Sequence, residues 1–167
     1  MTRISNIRST TENGFTLVEL AVIILLVGIL AFVVIPRLSG PSLRVDAQAE
    51  QLASDIRYTQ TLAMTQGVRF RINLTATGYQ ITSSSGANTV VHPGTGSTNP
   101  VVLNGVTLGG WNPPLTNDYV AFDGRGVPYV LFTSSTGLAA NASITLSGGG
   151  YARNLVISPE TGRVALQ

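Results

Sequence analysis

Phe15 to Ile35 is an apolar run broken by a single charge, Glu19. At about 1.5 Å per residue such a run, as a helix, reaches roughly 30 Å, the thickness of a hydrocarbon core. A helix is also the form that satisfies its own backbone in lipid. Arg3 and Arg8 precede the run, so the positive-inside rule places the N-terminus in the cytoplasm and the bulk of the chain on the far side. A cleaved secretory signal has a shorter apolar core ending in a small-residue cleavage site. Here the run ends in Val33-Val34-Ile35-Pro36-Arg37 and offers no such site. A carboxylate at mid-bilayer costs about 2.5–3.5 kcal/mol, and less near an interface. Glu19 therefore either snorkels to the headgroups or meets a cation from another chain.

Gly14, then Phe15-Thr16-Leu17-Val18-Glu19-Leu20, then the apolar run, resembles the class III signal of type IV pilins and type II secretion pseudopilins. The resemblance implies that residues 1–14 are a leader removed after Gly14 by a prepilin peptidase, which N-methylates Phe15. The apolar segment, 15–36, would then serve as inner-membrane anchor and later as filament core. Glu19 would pair with the terminal amine of a neighbouring pilin-type subunit. Pro36 falls where members of the family commonly carry a helix-interrupting proline, and proline removes a backbone donor and clashes with the preceding turn.

Beyond Pro36, residues 37–66 read as an amphipathic helix, with its regular part from Leu43 to Gln66. Val45, Ala49, Leu52, Ile56, Thr59 and Ala63 recur at spacings of four and three, one stripe for a core. Asp46, Glu50, Asp55 and Arg57 are expected off that stripe. Gly67 is a natural stop. From Val68 the period becomes two, and residues 67–167 read as a β-rich periplasmic domain. Val68 to Leu74 and Tyr79 to Thr82 form an expected hairpin around Thr77-Gly78. A Ser-, Gly- and Pro-rich loop follows, with a short strand near Thr89 to His92. Asn104-Gly105 is a favoured two-residue turn that would join Val101–Leu103 to Val106–Leu108. Trp111 to Pro114 reads as a rigid surface segment. Strands are expected at Tyr119–Phe122, Val127–Phe132, Ser143–Leu146, Arg153–Ser158 and Arg163–Leu166. Pro128 argues for an edge, and Gly148-Gly149-Gly150 reads as a loose connection.

The sum is an α+β chain in which a long N-terminal helix packs, by its second half, on antiparallel sheet. This is the pilin-like fold that the N-terminus implies. Phe122-Asp123-Gly124-Arg125-Gly126 and the closing stretch Asn154 to Val164 resemble the GspH/FimT-type minor pseudopilins and minor pilins. That subgroup implies a place at or near a filament tip, with secreted cargo or the outer-membrane pore as possible contacts.

The composition argues against chemistry by the chain itself. There is no Cys, which excludes disulfides, thiol catalysis and Cys-ligated metals. His92 stands in a polar loop with no assignable nucleophile or orienting acid. Asp118 and Asp123 lack the clustered oxygens of a calcium loop. No cofactor or metal centre is indicated. Nucleic acid is the rival partner. The net charge is only +2, but Arg69, Arg71, Arg153 and Arg163 on strand faces could form a phosphate-binding patch. FimT-type minor pilins of some naturally competent bacteria are thought to take up DNA through C-terminal arginines. Here Arg163 is followed by Val164-Ala165, so the second basic residue of that pattern is missing.

Overall fold

The computed structural model describes residues 15–34, 40–83, 85–112, 115 and 118–167. They fall into two compact units that divide between Ser39 and Gly40. The first holds one helix, α1 (Leu17–Val34). Its described side chains from Phe15 to Leu30 are all exposed, so it has no core-facing stripe. At 18 residues it is somewhat shorter than the roughly 20 that a bilayer core takes. Among the described residues no helix is long and apolar enough to cross a membrane.

The second unit is built on α2 (Pro41–Gln66). Proline opens the helix, where its missing N–H costs nothing. Gly67 closes it at φ 66°, a left-handed cap that glycine adopts without strain. The expected stripe is its buried face, with Val45, Ala49, Leu52, Ile56, Thr59 and Ala63 all buried. One element corrects the reading: Asp55 lies on the buried flank of that stripe.

Two antiparallel sheets pack on α2. The first has β1 (Phe70–Thr75), β2 (Gly78–Ser83), β3 (Val101–Val102), β5 (Tyr119–Phe122) and β6 (Pro128–Tyr129), in the order β3-β2-β1-β5-β6. The second has β4 (Thr107–Asn112), β7 (Ala142–Gly148), β8 (Tyr151–Ile157) and β9 (Val164–Leu166), in the order β4-β7-β8-β9. The helix touches β1 and β5 of one sheet and β7, β8 and β9 of the other. Phe70, Ile72 and Leu74 face this shared core, together with Tyr79, Phe122, Ile144, Leu155 and Ile157. Pro128 lies in the edge strand, as its missing donor requires.

Several turns differ from expectation. The β1–β2 turn is Ala76-Thr77, since Thr75 already pairs with Gly78. Gly78 is needed for a different reason: a Cβ there would lie 2.3 Å from the Val101 carbonyl oxygen. The hairpin expected across Asn104-Gly105 does not form. Val101–Val102 pairs with β2, whereas Thr107 onward pairs with β7. The chain crosses from one sheet to the other here because Leu103 and Val106 are both buried in the core between them. Trp111 belongs to β4 and packs against the core. Gly149 and Gly150, at φ 56° and 83°, form the two-residue turn between Gly148 and Tyr151, a tight connection that needs positive φ at both positions. Near Thr89 to His92 there is only a single bridge, Thr82 to Thr89.

Leu52 is fully buried where α2 meets the core. Leu52→Ala should lower unfolding free energy by about 2–5 kcal/mol, measured by urea denaturation. A loss below about 1 kcal/mol would contradict this packing.

Candidate functional site

The N-terminal segment is organised by its first turn. Thr16 is the residue before α1, and its Oγ1 accepts the Glu19 N–H at 3.2 Å. The Thr16–Glu19 spacing is that of a capping box, and an acid in the first turn suits the positive end of the helix dipole. Glu19 therefore has a local reason for its position. Its carboxylate is exposed and forms no ion pair among the described residues. Phe15 precedes the cap and is exposed. Gly14 and Pro36 lie outside the described residues.

The four arginines expected to share a patch are not brought together by ion-pair geometry. Arg153 on β8 pairs with Asp46 of α2 at 2.5 Å. Arg163 is exposed just ahead of β9, and no side-chain bond ties it to the others. Arg69 and Arg71 do share one face of the first sheet, opposite the buried Phe70 and Ile72. They lie over aromatic rings: Arg69 at 4.1 Å from the Tyr129 centroid and Arg71 at 4.7 Å from that of Tyr119. Arg125, noted in the sequence only within the Phe122 to Gly126 motif, adjoins the same Tyr129 through its hydroxyl at 3.5 Å and pairs with Asp123 at 3.2 Å. Burial pushes the Asp123 carboxyl up. Backbone N–H groups of Val127 and Arg125, with the side chains of Tyr129 and Arg125, outweigh that and hold it below its ordinary value.

The two glycine-bearing motifs are a packing device. Gln60 of α2 donates from Nε2 to the carbonyls of both Gly126 (2.9 Å) and Thr161 (2.8 Å). A Cβ on Gly162 would lie 2.6 Å from both Gln60 Nε2 and the Gly126 oxygen. A Cβ on Gly124 would meet the Gly67 backbone at 3.0 Å. One glutamine thus ties two loops, one after each sheet's inner strand, to the end of α2.

Sequence reading missed the most buried polar cluster. Asp55, 5% exposed, reaches from α2 between Tyr79 of β2 and His92 of the following loop. The Tyr79 hydroxyl donates to Asp55 Oδ2 at 2.5 Å. The Gly94 and Thr95 N–H groups donate to His92 Nδ1 at 3.1 and 3.2 Å. With Nδ1 accepting, the ring proton is on Nε2, which donates to Asp55 Oδ2 at 2.8 Å. Burial first, then the hydrogen bond to Asp55 and its charge, push the Tyr79 phenol far above its ordinary range. The bonds join α2, β2 and the residues around His92, so the cluster anchors the loop after β2. The available signal was position: Asp55 is three residues after Leu52 and four before Thr59, within the stripe's arc. Among the described residues no group of three or more His, Asp or Glu is placed to hold a metal ion.

Comparison with known proteins bears on the same unit. The family model described as "Type II transport protein GspH" matches residues 48–162. The fold is similar to the crystal structure of the Pseudomonas aeruginosa type IV minor pilin FimU. One crystal form aligns at TM-score 0.52 and 16% identity, covering 73% of this chain and 91% of that one. A second form gives TM-score 0.50 and 17% identity over 74% and 87%. No curated protein matches.

Tyr79→Phe removes a donor from a buried carboxylate and should lower stability by about 1–3 kcal/mol at neutral pH. A raised folded pKa also means that the unfolded chain loses this proton first. The Tyr79 contribution is fully present below its unfolded pKa, about 10, and fades as pH rises above it. Urea melts from neutral to alkaline pH should show a steeper alkaline loss for the native chain than for Tyr79→Phe. Parallel curves would contradict the assignment.

Proposed function

The chain belongs to the GspH family, and on that basis we propose that it is a non-enzymatic minor pseudopilin, assembling at or near the tip of a periplasmic type II secretion filament. One observation carries the reading beyond family membership: α1 shows apolar side chains on every side, with Glu19 as its only charge. A helix apolar all round is stable only where lipid or other helices cover it. The chain's own globular unit has its core filled by α2 and two sheets.

In this account the leader is removed after Gly14, Phe15 becomes the methylated terminus, and α1 with Ile35 is held in the inner membrane until assembly. The machine's other pilin-type subunits then replace lipid around α1. Glu19 lies one turn from the new terminus, and a carboxylate near lipid gains most when a neighbour's terminal amine arrives. That pairing aligns an incoming subunit. The globular unit is carried into the periplasm, where it meets other subunits and the secreted cargo or outer-membrane pore. Binding of DNA through the four arginines is the weaker reading, because Arg153 is already neutralised by Asp46.

The capping box gives a sharp test, since glutamine serves at its third position as well as glutamate does. Glu19→Gln keeps the cap and removes the charge. The variant should be inserted and processed normally but be lost from sheared filaments, as should Glu19→Ala. Normal incorporation of Glu19→Gln would show that the helix start, not charge pairing, is what Glu19 provides.

A further inference from the structure

Arg69 and Arg71 are two residues apart, so they share a face of the first sheet at a spacing of about 7 Å. That face is turned away from α2. Tyr119, Ala121 and Tyr129 form a small cluster there, separate from the main core. Each arginine is fixed in place. The Arg69 guanidinium stacks on Tyr129 and donates to the Phe132 carbonyl. Arg71 lies over Tyr119, 5.4 Å from the Phe132 centroid, and donates from Nε to Thr82 Oγ1 at 3.3 Å. The loop after β2 is shaped around it: a Cβ on Gly86, at φ 76°, would lie 1.7 Å from Arg71 Nη2.

Among the described residues these two cations have no counter-ion. The ion pairs among the described residues are His92–Asp55, Arg125–Asp123 and Arg153–Asp46. A guanidinium carries five N–H donors in a planar fork suited to an oxyanion. Among the described residues each of these forks makes one hydrogen bond to the protein, the one named above.

We propose that this face is a docking surface for an acidic segment of a neighbouring protein subunit, whose carboxylates seat on Arg69 and Arg71. It rests on the filament-subunit reading and names the chemistry of one contact within it. Two observations favour a polypeptide over a nucleic-acid strand. Tyr119 and Tyr129 are buried under the guanidinium groups, which leaves their faces closed to stacking bases. The net charge of +2 is also small for binding that depends on neutralising many phosphates.

The test uses the full-length protein in detergent, titrated by fluorescence anisotropy with a labelled poly-glutamate peptide and with a labelled oligo-dT strand. The native chain should bind the peptide, more tightly than oligo-dT. Arg69→Gln/Arg71→Gln should lose about tenfold or more in peptide affinity, with Arg163→Gln unchanged. Arg69→Lys/Arg71→Lys, which keeps both charges, should retain part of the binding and serves if the glutamine pair does not fold. No peptide binding by the native chain, tighter binding of oligo-dT, or equal loss in Arg163→Gln would overturn the proposal. In cells the glutamine pair should reduce incorporation into filaments. If it assembles normally while Glu19→Gln does not, the docking surface is wrong and the filament reading stands. If both assemble normally, the docking surface and the charge-pairing role of Glu19 are both wrong, and the filament reading stands.

Discussion

The globular unit depends on one helix face serving two sheets. Val45, Ala49, Leu52, Ala53, Ile56 and Ala63 are all essentially inaccessible, and they must meet β1 and β5 on one side and β7, β8 and β9 on the other. Alanine at three of these positions keeps the strands close. The price is a narrow apolar arc, and polar side chains at its margins do the remaining fastening. Asp55 binds Tyr79 and His92. Arg57 donates to the Val164 carbonyl of β9 at 3.1 Å. Gln60 ties the loops at Gly126 and Thr161. The helix is thus both the core and the clamp, and the loops that it holds are the ones whose glycines stand out in the sequence.

How much of this was legible follows from the range of each interaction. The alternation of Phe70, Ile72 and Leu74 with Arg71 and Asn73 is local and survives as β1, which begins at Phe70 and leaves Val68 exposed ahead of it. The α2 stripe and the edge position of Pro128 are local as well. The crossing at Leu103 and Val106 is not, because Asn104-Gly105 favours a hairpin as strongly as it favours any other turn. Only the open edges of β2 and β7, far away in sequence, decide the outcome. Asp55 was misplaced for a related reason. Charge suggests exposure, and only the approach of Tyr79 and His92 makes its burial affordable. Arg153 looked free because its partner, Asp46, belongs to another element.

The N-terminal unit follows the opposite logic. Every described position from Phe15 to Leu30 is exposed. Its start is nevertheless defined from within: Thr16 caps the helix, and Glu19 follows at the distance that the cap prefers. The local helix signal and the proposed assembly residue thus occupy the same four residues. The globular unit closes its own core, whereas α1 exposes its apolar side chains, a division suited to the proposed subunit that is held in a membrane and used in a filament.

The absence of cysteine makes the decisive measurement clean. A single cysteine at Leu26, exposed midway along α1, can be paired with single cysteines in the corresponding helices of the machine's other pilin-type subunits and oxidised in intact cells. The account predicts disulfide-linked dimers between this chain and another subunit, formed only when the filament motor is active. Equal cross-linking with the motor disabled, or none at any position along α1, would contradict the claim that this helix leaves lipid to become part of a filament.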